Sequence, residues 1–207
     1  IKKANMIVAI SDNTKYDLKS YLGLQANIPV IYDGVDPVVN WPRKQEEDCW
    51  KTLTEKNHLT KQKYIFYYGG FGTRRNIPAI LQLYAKLTEN KQIDKNFRLV
   101  LSGRITNAKK QNLDNYNTII NLSRKFNIDK QTVFLDYLSL IERTVLIKNC
   151  LFFCSLSFYE GFGLSPIEVL QYKKPCLLSN TGIWKSYNQE NKFIINNLHS
   201  SEEIYRK

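Results

Sequence analysis

Histidine is almost missing from this chain: its 207 residues hold two, His58 and His199, far apart in polar stretches. The four cysteines contain no Cys-x-x-Cys pair, so neither residue type offers the spacing of a zinc site. No Ser–His–Asp or Cys–His set is visible, and with it goes any hydrolytic nucleophile served by its own base. Glycine (9) and proline (6) are scarce while aromatics reach 13%, which excludes a disordered chain. No apolar run approaches the roughly 18 residues that span a membrane. The apolar stretch Met6–Ile10 is too short for the core of a signal peptide, and a chain beginning with Ile says little about a leader.

Acidic residues are the minority: 19 against 30 basic ones give a net charge of +11. Such a balance suits anionic partners, whether phosphates, nucleic acid or an acidic membrane face. The charge is diffuse, however. Lys2-Lys3, Lys109-Lys110 and Lys173-Lys174 are only pairs, and aromatics are not interleaved with them, so specific nucleic-acid binding is not expected. Cys150, Cys154 and Cys176 lie in apolar runs, as reduced, buried thiols of a cytoplasmic protein do.

What the chain does have is alternation. Met6–Ile10 and Pro29–Tyr32 read as strands around a helix at Asn13–Leu22, with Gly23 as its C-cap. Residues 40–63 read as a polar connection with a short helix, anchored by Trp41 and Trp50. From Tyr64 the pattern becomes regular. Strands are expected at Tyr64–Tyr68, Phe97–Leu101, Thr132–Leu135, Leu151–Ser155, Pro175–Ser179 and Phe193–Ile195. Helices are expected at Pro78–Leu87, Ala108–Phe126, Ser139–Lys148, Ser165–Tyr172 and from Ser200. Strands alternating with helices imply an α/β fold: a Rossmann-like, doubly wound parallel sheet with helices on both faces. Ligands of such sheets bind outside the carboxyl ends of the strands, so the loops at 69–76, 102–107, 136–139, 155–165 and 179–184 are the places for chemistry.

Two of these loops carry residues suited to a phosphorylated ligand. In Glu160-Gly161-Phe162-Gly163-Leu164-Ser165-Pro166-Ile167-Glu168, two carboxylates eight positions apart flank a glycine turn that follows a strand and opens a helix. Gly161 and Gly163 allow close backbone approach, and the free N–H groups of a helix start attract anions. Ser165 and Glu168 have the spacing of a capping box with Pro166 at the first helical position. Glu160 beside a phosphate makes sense if it faces neutral hydroxyls, for which a carboxylate is a strong acceptor. Without a ligand, Glu160 reads equally as a solvated loop residue and Glu168 as a cap. Gly69-Gly70-Phe71-Gly72-Thr73-Arg74-Arg75-Asn76 ends a strand in glycines and opens the next helix with two arginines, which grip phosphate in bidentate fashion. It lacks the Gly-Lys-Ser/Thr ending of a P-loop. Weaker signals come from Asp136-Tyr137-Leu138 and Ser102-Gly103-Arg104, which read better as plain turns, and from Asn180-Thr181-Gly182, which serves equally as one.

The order and spacing of these segments resemble the family 4 retaining glycosyltransferases of the GT-B fold. Glu160 to Glu168 resembles the family's Glu-x7-Glu motif, and Gly69 to Asn76 its "G-x-x-x-x-R-K-N". Val30–Asp36 resembles "V-I-x-N-G-V-D", Val133–Tyr137 "V-x-F-L-G-Y", and Lys174–Gly182 "G-x-P-V-I-x-S-N-x-G". Ile7–Leu18 is similar to the segment that closes the family's N-terminal domain. The resemblance implies the C-terminal, donor-binding half of such an enzyme. Residues 38–207 would form the nucleotide-sugar domain, cut at its C-terminal helix, and residues 1–37 the end of and linker from an absent acceptor domain.

It further implies that Glu160 contacts hydroxyls of the donor sugar, with Arg75 on the phosphate as the second catalytic residue. Glu168 would hold the ribose, and Gly161, Phe162, Gly163 and Leu164 would cradle the diphosphate. Gly69, Gly70 and Arg74 would add to the phosphate site, and Ser102, Tyr137 and Leu138 to the nucleobase site. No metal and no cofactor would be needed, since arginines and helix starts neutralise the leaving group. The donor would be a UDP- or GDP-sugar. The acceptor would be a glycan or lipid-linked molecule in polysaccharide or glycoconjugate synthesis, with a cytoplasmic protein touching the inner membrane face peripherally. There are departures: Gly70 stands where many members have Arg, Asp33 where they have Asn, and Lys173-Lys174 where they have a small residue and Gly. Two other readings are open: a GT-B nucleotide-sugar epimerase, and a non-catalytic basic module that binds nucleic acid or an anionic membrane.

Overall fold

The computed structural model describes residues 4–106, 108–182, 184 and 194–195. The helix expected from Ser200, Phe193 and His199 lie outside the described residues. Six strands, β1 (Tyr64–Tyr68), β2 (Arg98–Ser102), β3 (Thr132–Leu135), β4 (Phe152–Ser155), β5 (Cys176–Ser179) and β6 (Ile194–Ile195), pair in the order β3-β2-β1-β4-β5-β6. Every pairing is parallel. The sheet therefore needs helices on both faces, and the strands read as continuous apolar runs.

Strand β1 shows why. All five residues of Tyr-Ile-Phe-Tyr-Tyr are buried, and their side chains alternate between two cores. Ile65 and Tyr67 face one core, with α3 (Ile77–Glu89) and α4 (Lys110–Lys125) above them. Tyr64, Phe66 and Tyr68 face the other, under α2 (Arg43–Asn57), α5 (Leu140–Asn149) and α6 (Leu164–Gln171). The Tyr64 hydroxyl donates to the Leu146 carbonyl at 2.6 Å and the Tyr84 hydroxyl to the Phe97 carbonyl at 2.8 Å, so neither buried phenol is orphaned.

Three expectations need correction. The stretch 40–63 is no mere connection: α2 runs 15 residues, its Cys49, Trp50 and Leu53 packing on the sheet and Trp50 stacking on Tyr64 with ring centres 6.3 Å apart. Met6–Ile10 and Pro29–Tyr32 form no strands beyond one parallel bridge, Ala9 to Val30, around α1 (Asp12–Leu22). The Ser165/Glu168 capping box does not form. Helix α6 starts at Leu164 from Gly163, whose φ of 99° only glycine adopts freely, and no side chain caps it.

Candidate functional site

Strand order reverses between β1 and β4, because β2 and β3 extend the sheet on one side and β5 and β6 on the other. In open α/β sheets the carboxyl edge at such a reversal is where ligands bind. The loop after β1 is Gly69–Arg75, ending in a single 3-10 turn at Thr73–Arg75. The loop after β4 carries Glu160 to Gly163 into α6. The two glycine-rich motifs thus meet at this reversal, although 85 residues separate Arg75 from Glu160.

Glu160 is 7% exposed, so it is not a solvated loop residue. Its carboxylate accepts from Ser157 Oγ at 2.8 Å, from Arg74 Nη1 at 3.1 Å and from Arg75 Nη1. Removing a carboxylate from water is costly unless it is paired and hydrogen-bonded, and two guanidinium groups plus a hydroxyl meet that condition. The loops are also joined through their backbones, since Phe158 N donates to the Arg74 carbonyl at 2.9 Å. From the third side, a Cβ on Gly182 would come within 2.7 Å of the Glu160 carbonyl oxygen, so that glycine permits the close approach of the β5 loop.

Glu168 sits one helix turn further on, and its side chain crosses back toward β1. It accepts from the Tyr68 hydroxyl at 2.5 Å and pairs with Arg143 Nη1 at 3.5 Å, while Arg143 also lies over the Tyr68 ring, 5.5 Å from its centre. Burial, with Glu168 beside it, pushes the Tyr68 phenol well above its ordinary range, so the hydroxyl stays a donor.

The remaining expected residues fall as follows. Gly69 and Gly103 bring the β1 and β2 loops into backbone contact, Gly69 N donating to the Ser102 carbonyl at 2.9 Å. Gly70 has open space at its α-carbon. Ser102 is buried, its hydroxyl engaged with the Asp136 carbonyl at 2.9 Å. Tyr137 is largely exposed, and Leu138 packs against the second core. Phe162 is buried against Tyr32, Leu164 is partly exposed at the helix start, and the Gly161 carbonyl accepts from Ser11 Oγ at 2.5 Å. Segment 5–32 therefore rests on the Glu160 loop, an attachment strengthened by Tyr159, whose hydroxyl donates to Asp17 at 2.6 Å and is pushed up to about 12 by that bond. Ser157 and Tyr68 begin the two motifs in the sequence but carry no expected role there, and Arg143 is not singled out at all. Ser157 stands three before Glu160 and could have been read as its partner, whereas Arg143 lies inside a helix with no local signal.

No group of three or more His, Cys, Asp or Glu side chains that could hold a metal occurs among the described residues. Nor is any helix among them long and apolar enough to cross a membrane.

Known proteins resemble this chain in sequence and in fold. The alpha-1,3/1,6-mannosyltransferase ALG2 of Debaryomyces hansenii is 28% identical over 79% of this chain and 38% of its own length. A glycosyltransferase from Rickettsia africae superposes with a TM-score of 0.76 at 20% identity, covering 97% of this chain and 51% of that one. HepE of Anabaena, solved in complex with UDP and glucose, gives 0.76 at 16% identity over 98% and 52%. The chain thus spans about half the length of these solved relatives, and less of the curated one. The pattern of the glycosyl transferases group 1 matches residues 50–207. With its six-stranded parallel sheet and the Rossmann-like half of a GT-B fold, the chain belongs to the group 1 glycosyl transferases.

Proposed function

We propose that the crevice between β1 and β4 binds a nucleoside-diphosphate sugar and that the protein transfers the sugar, with retention of configuration, to a glycan or lipid-linked acceptor. The observation that carries this reading is the cluster of Arg74, Arg75, Ser157 and Glu160 at the strand-order reversal. A guanidinium has five N–H donors, so an arginine bonded to Glu160 keeps others for a diphosphate. The pairing also answers the objection that a carboxylate repels phosphate: the arginines neutralise Glu160 and leave it an acceptor for sugar hydroxyls. In the transition state negative charge grows on the departing diphosphate, and Arg75, Arg74 and the backbone N–H groups at the start of α6 receive it. The bond from the acceptor oxygen to the anomeric carbon forms on the face from which the diphosphate leaves, and the phosphate oxygen takes the acceptor's proton. Glu168, steadied by Tyr68 and Arg143, holds the ribose. The chemistry needs neither metal nor cofactor. Residues 1–37 connect to an acceptor-binding domain, and transfer requires both domains. Surface polysaccharide or glycoconjugate assembly at the cytoplasmic membrane face fits a basic protein with such an acceptor.

A thermal-shift panel of UDP, GDP, ADP and their sugar conjugates tests the reading. One nucleoside diphosphate at 100 times its dissociation constant should stabilise the fold by about 2.7 kcal/mol. Arg75→Ala and Glu160→Ala should each weaken that response. His58→Ala, at the exposed end of α2, should not. A panel with no saturable response refutes nucleotide binding, and turnover by this chain alone refutes the need for a second domain.

A further inference from the structure

The loops after β2 and β3 are stitched together by one side chain. Asp136 Oδ1 accepts from Ile105 N at 2.8 Å and from Tyr137 N at 2.7 Å, and Oδ2 accepts from Thr106 N at 3.1 Å. Its carbonyl takes the Ser102 hydroxyl, and Gly103 N donates to the Leu135 carbonyl at 3.1 Å. Between the clipped segments lies Arg104, its guanidinium over the Tyr137 ring, 5.4 Å from the centre. Both side chains are exposed at the carboxyl edge. An exposed arginine stacked on a tyrosine is a flat, polarisable surface that takes a heterocycle face, as arginine and aromatic planes do for bases. Without a clip, loop 103–106 would have to be ordered by the ligand itself, at a cost in affinity.

We propose that Asp136 is a positioning residue: its carboxylate clips the β2 loop onto the β3 loop and so pre-forms the Arg104–Tyr137 pair as the platform for the nucleobase. The proposal rests on the nucleotide-binding reading above. The placement fits it. Strands β2 and β3 lie one and two positions from β1, whose loop carries the arginines, so neighbouring strand spacing sets them roughly 5 and 10 Å from β1, a gap that ribose and diphosphate bridge. Backbone N–H bonds, that from Ile105 foremost, hold the Asp136 carboxyl well below the usual carboxylate range, so the clip is charged throughout the neutral range.

The test compares two ligands on one protein: inorganic pyrophosphate, which reaches only the arginines, and the nucleoside diphosphate that wild type binds. Asp136→Ala should weaken the nucleotide at least tenfold and leave pyrophosphate within twofold. Asp136→Asn, which keeps one acceptor oxygen, should fall between. Arg104→Ala, which leaves the clip intact, should also lose nucleotide selectively, and it carries the test if the Asp136 variants fail to fold. Equal losses for both ligands, or no loss for the nucleotide, overturn the role of Asp136. If wild type binds pyrophosphate but no nucleotide, the function proposed above falls, and this inference with it.

Discussion

At the scale of single residues, the site is a charge-neutralisation problem solved with few groups. Glu160 is buried and Arg75 mostly so, whereas Arg74 is half exposed. Arg75→Ala should therefore cost about 1–2 kcal/mol of stability in urea unfolding, less than a fully buried pair, because Arg74 and Ser157 stay on the carboxylate. A stability equal to wild type would mean that Arg75 does not neutralise Glu160. The thiols supply a second expectation. Burial pushes Cys150 and Cys176 up to about 12 and Cys154 higher still, while Cys49 is only partly covered. Since the thiolate is the reactive form, iodoacetamide at pH 8 should label Cys49 first and the other three only on unfolding. Rapid native labelling of Cys154 would contradict the packing of β4. Glu160 and both arginines were legible from residue type and neighbouring glycines. That they hold one another was not, because nothing in either segment records a contact 85 residues away.

At the scale of elements, two Ser-x-x-Glu patterns, Ser139–Glu142 and Ser165–Glu168, invite comparison, and only the first caps a helix. In α5 the Ser139 amide donates to Glu142 at 2.8 Å, and Glu142 N donates back to Ser139 Oγ at 3.4 Å. In α6 Gly163 starts the helix two residues before Ser165, and Glu168 is drawn across to Tyr68 and Arg143. The local pattern was the same; tertiary partners decided which carboxylate stayed at home. Ser139→Ala should thus cost about 1 kcal/mol, whereas Ser165→Ala should stay within about 0.5 kcal/mol. Equal costs in chemical unfolding would restore the capping box in α6. Gly163→Ala should destabilise by more than about 1 kcal/mol, since a Cβ there meets Trp184 Nε1 at 2.8 Å at a φ of 99°. Helix α2 was underestimated for a related reason. Its apolar anchors Cys49, Trp50 and Leu53 form a narrow stripe in an otherwise charged segment, too sparse to announce 15 helical residues.

At the scale of the molecule, alternating strands and helices gave the parallel sheet directly, but not the order of its strands. The reversal between β1 and β4 comes from which crossover each helix takes, and it alone brings the two glycine loops together. Segment 5–32 was over-read as two strands because exposed apolar residues such as Met6, Val8, Ile10, Ile31 and Tyr32 carry a strand's composition without a sheet to join among the described residues. Net charge is the last molecular property with a function to answer for. A charge of +11 attracts any polyanion, so binding to nucleic acid at low salt would by itself mean little. Salt dependence separates that background from the crevice. A duplex contacted by six to ten cations loses roughly 10³–10⁵ in affinity between about 50 and 200 mM salt. A diphosphate held by two arginines and backbone N–H groups releases few counterions, so its affinity should fall by less than about tenfold over the same range. Titrating one nucleoside diphosphate and one random duplex side by side reads both slopes. If the nucleotide's slope matches the duplex's, the diffuse charge is the binder, and the arginine cluster at the strand-order reversal is not a site.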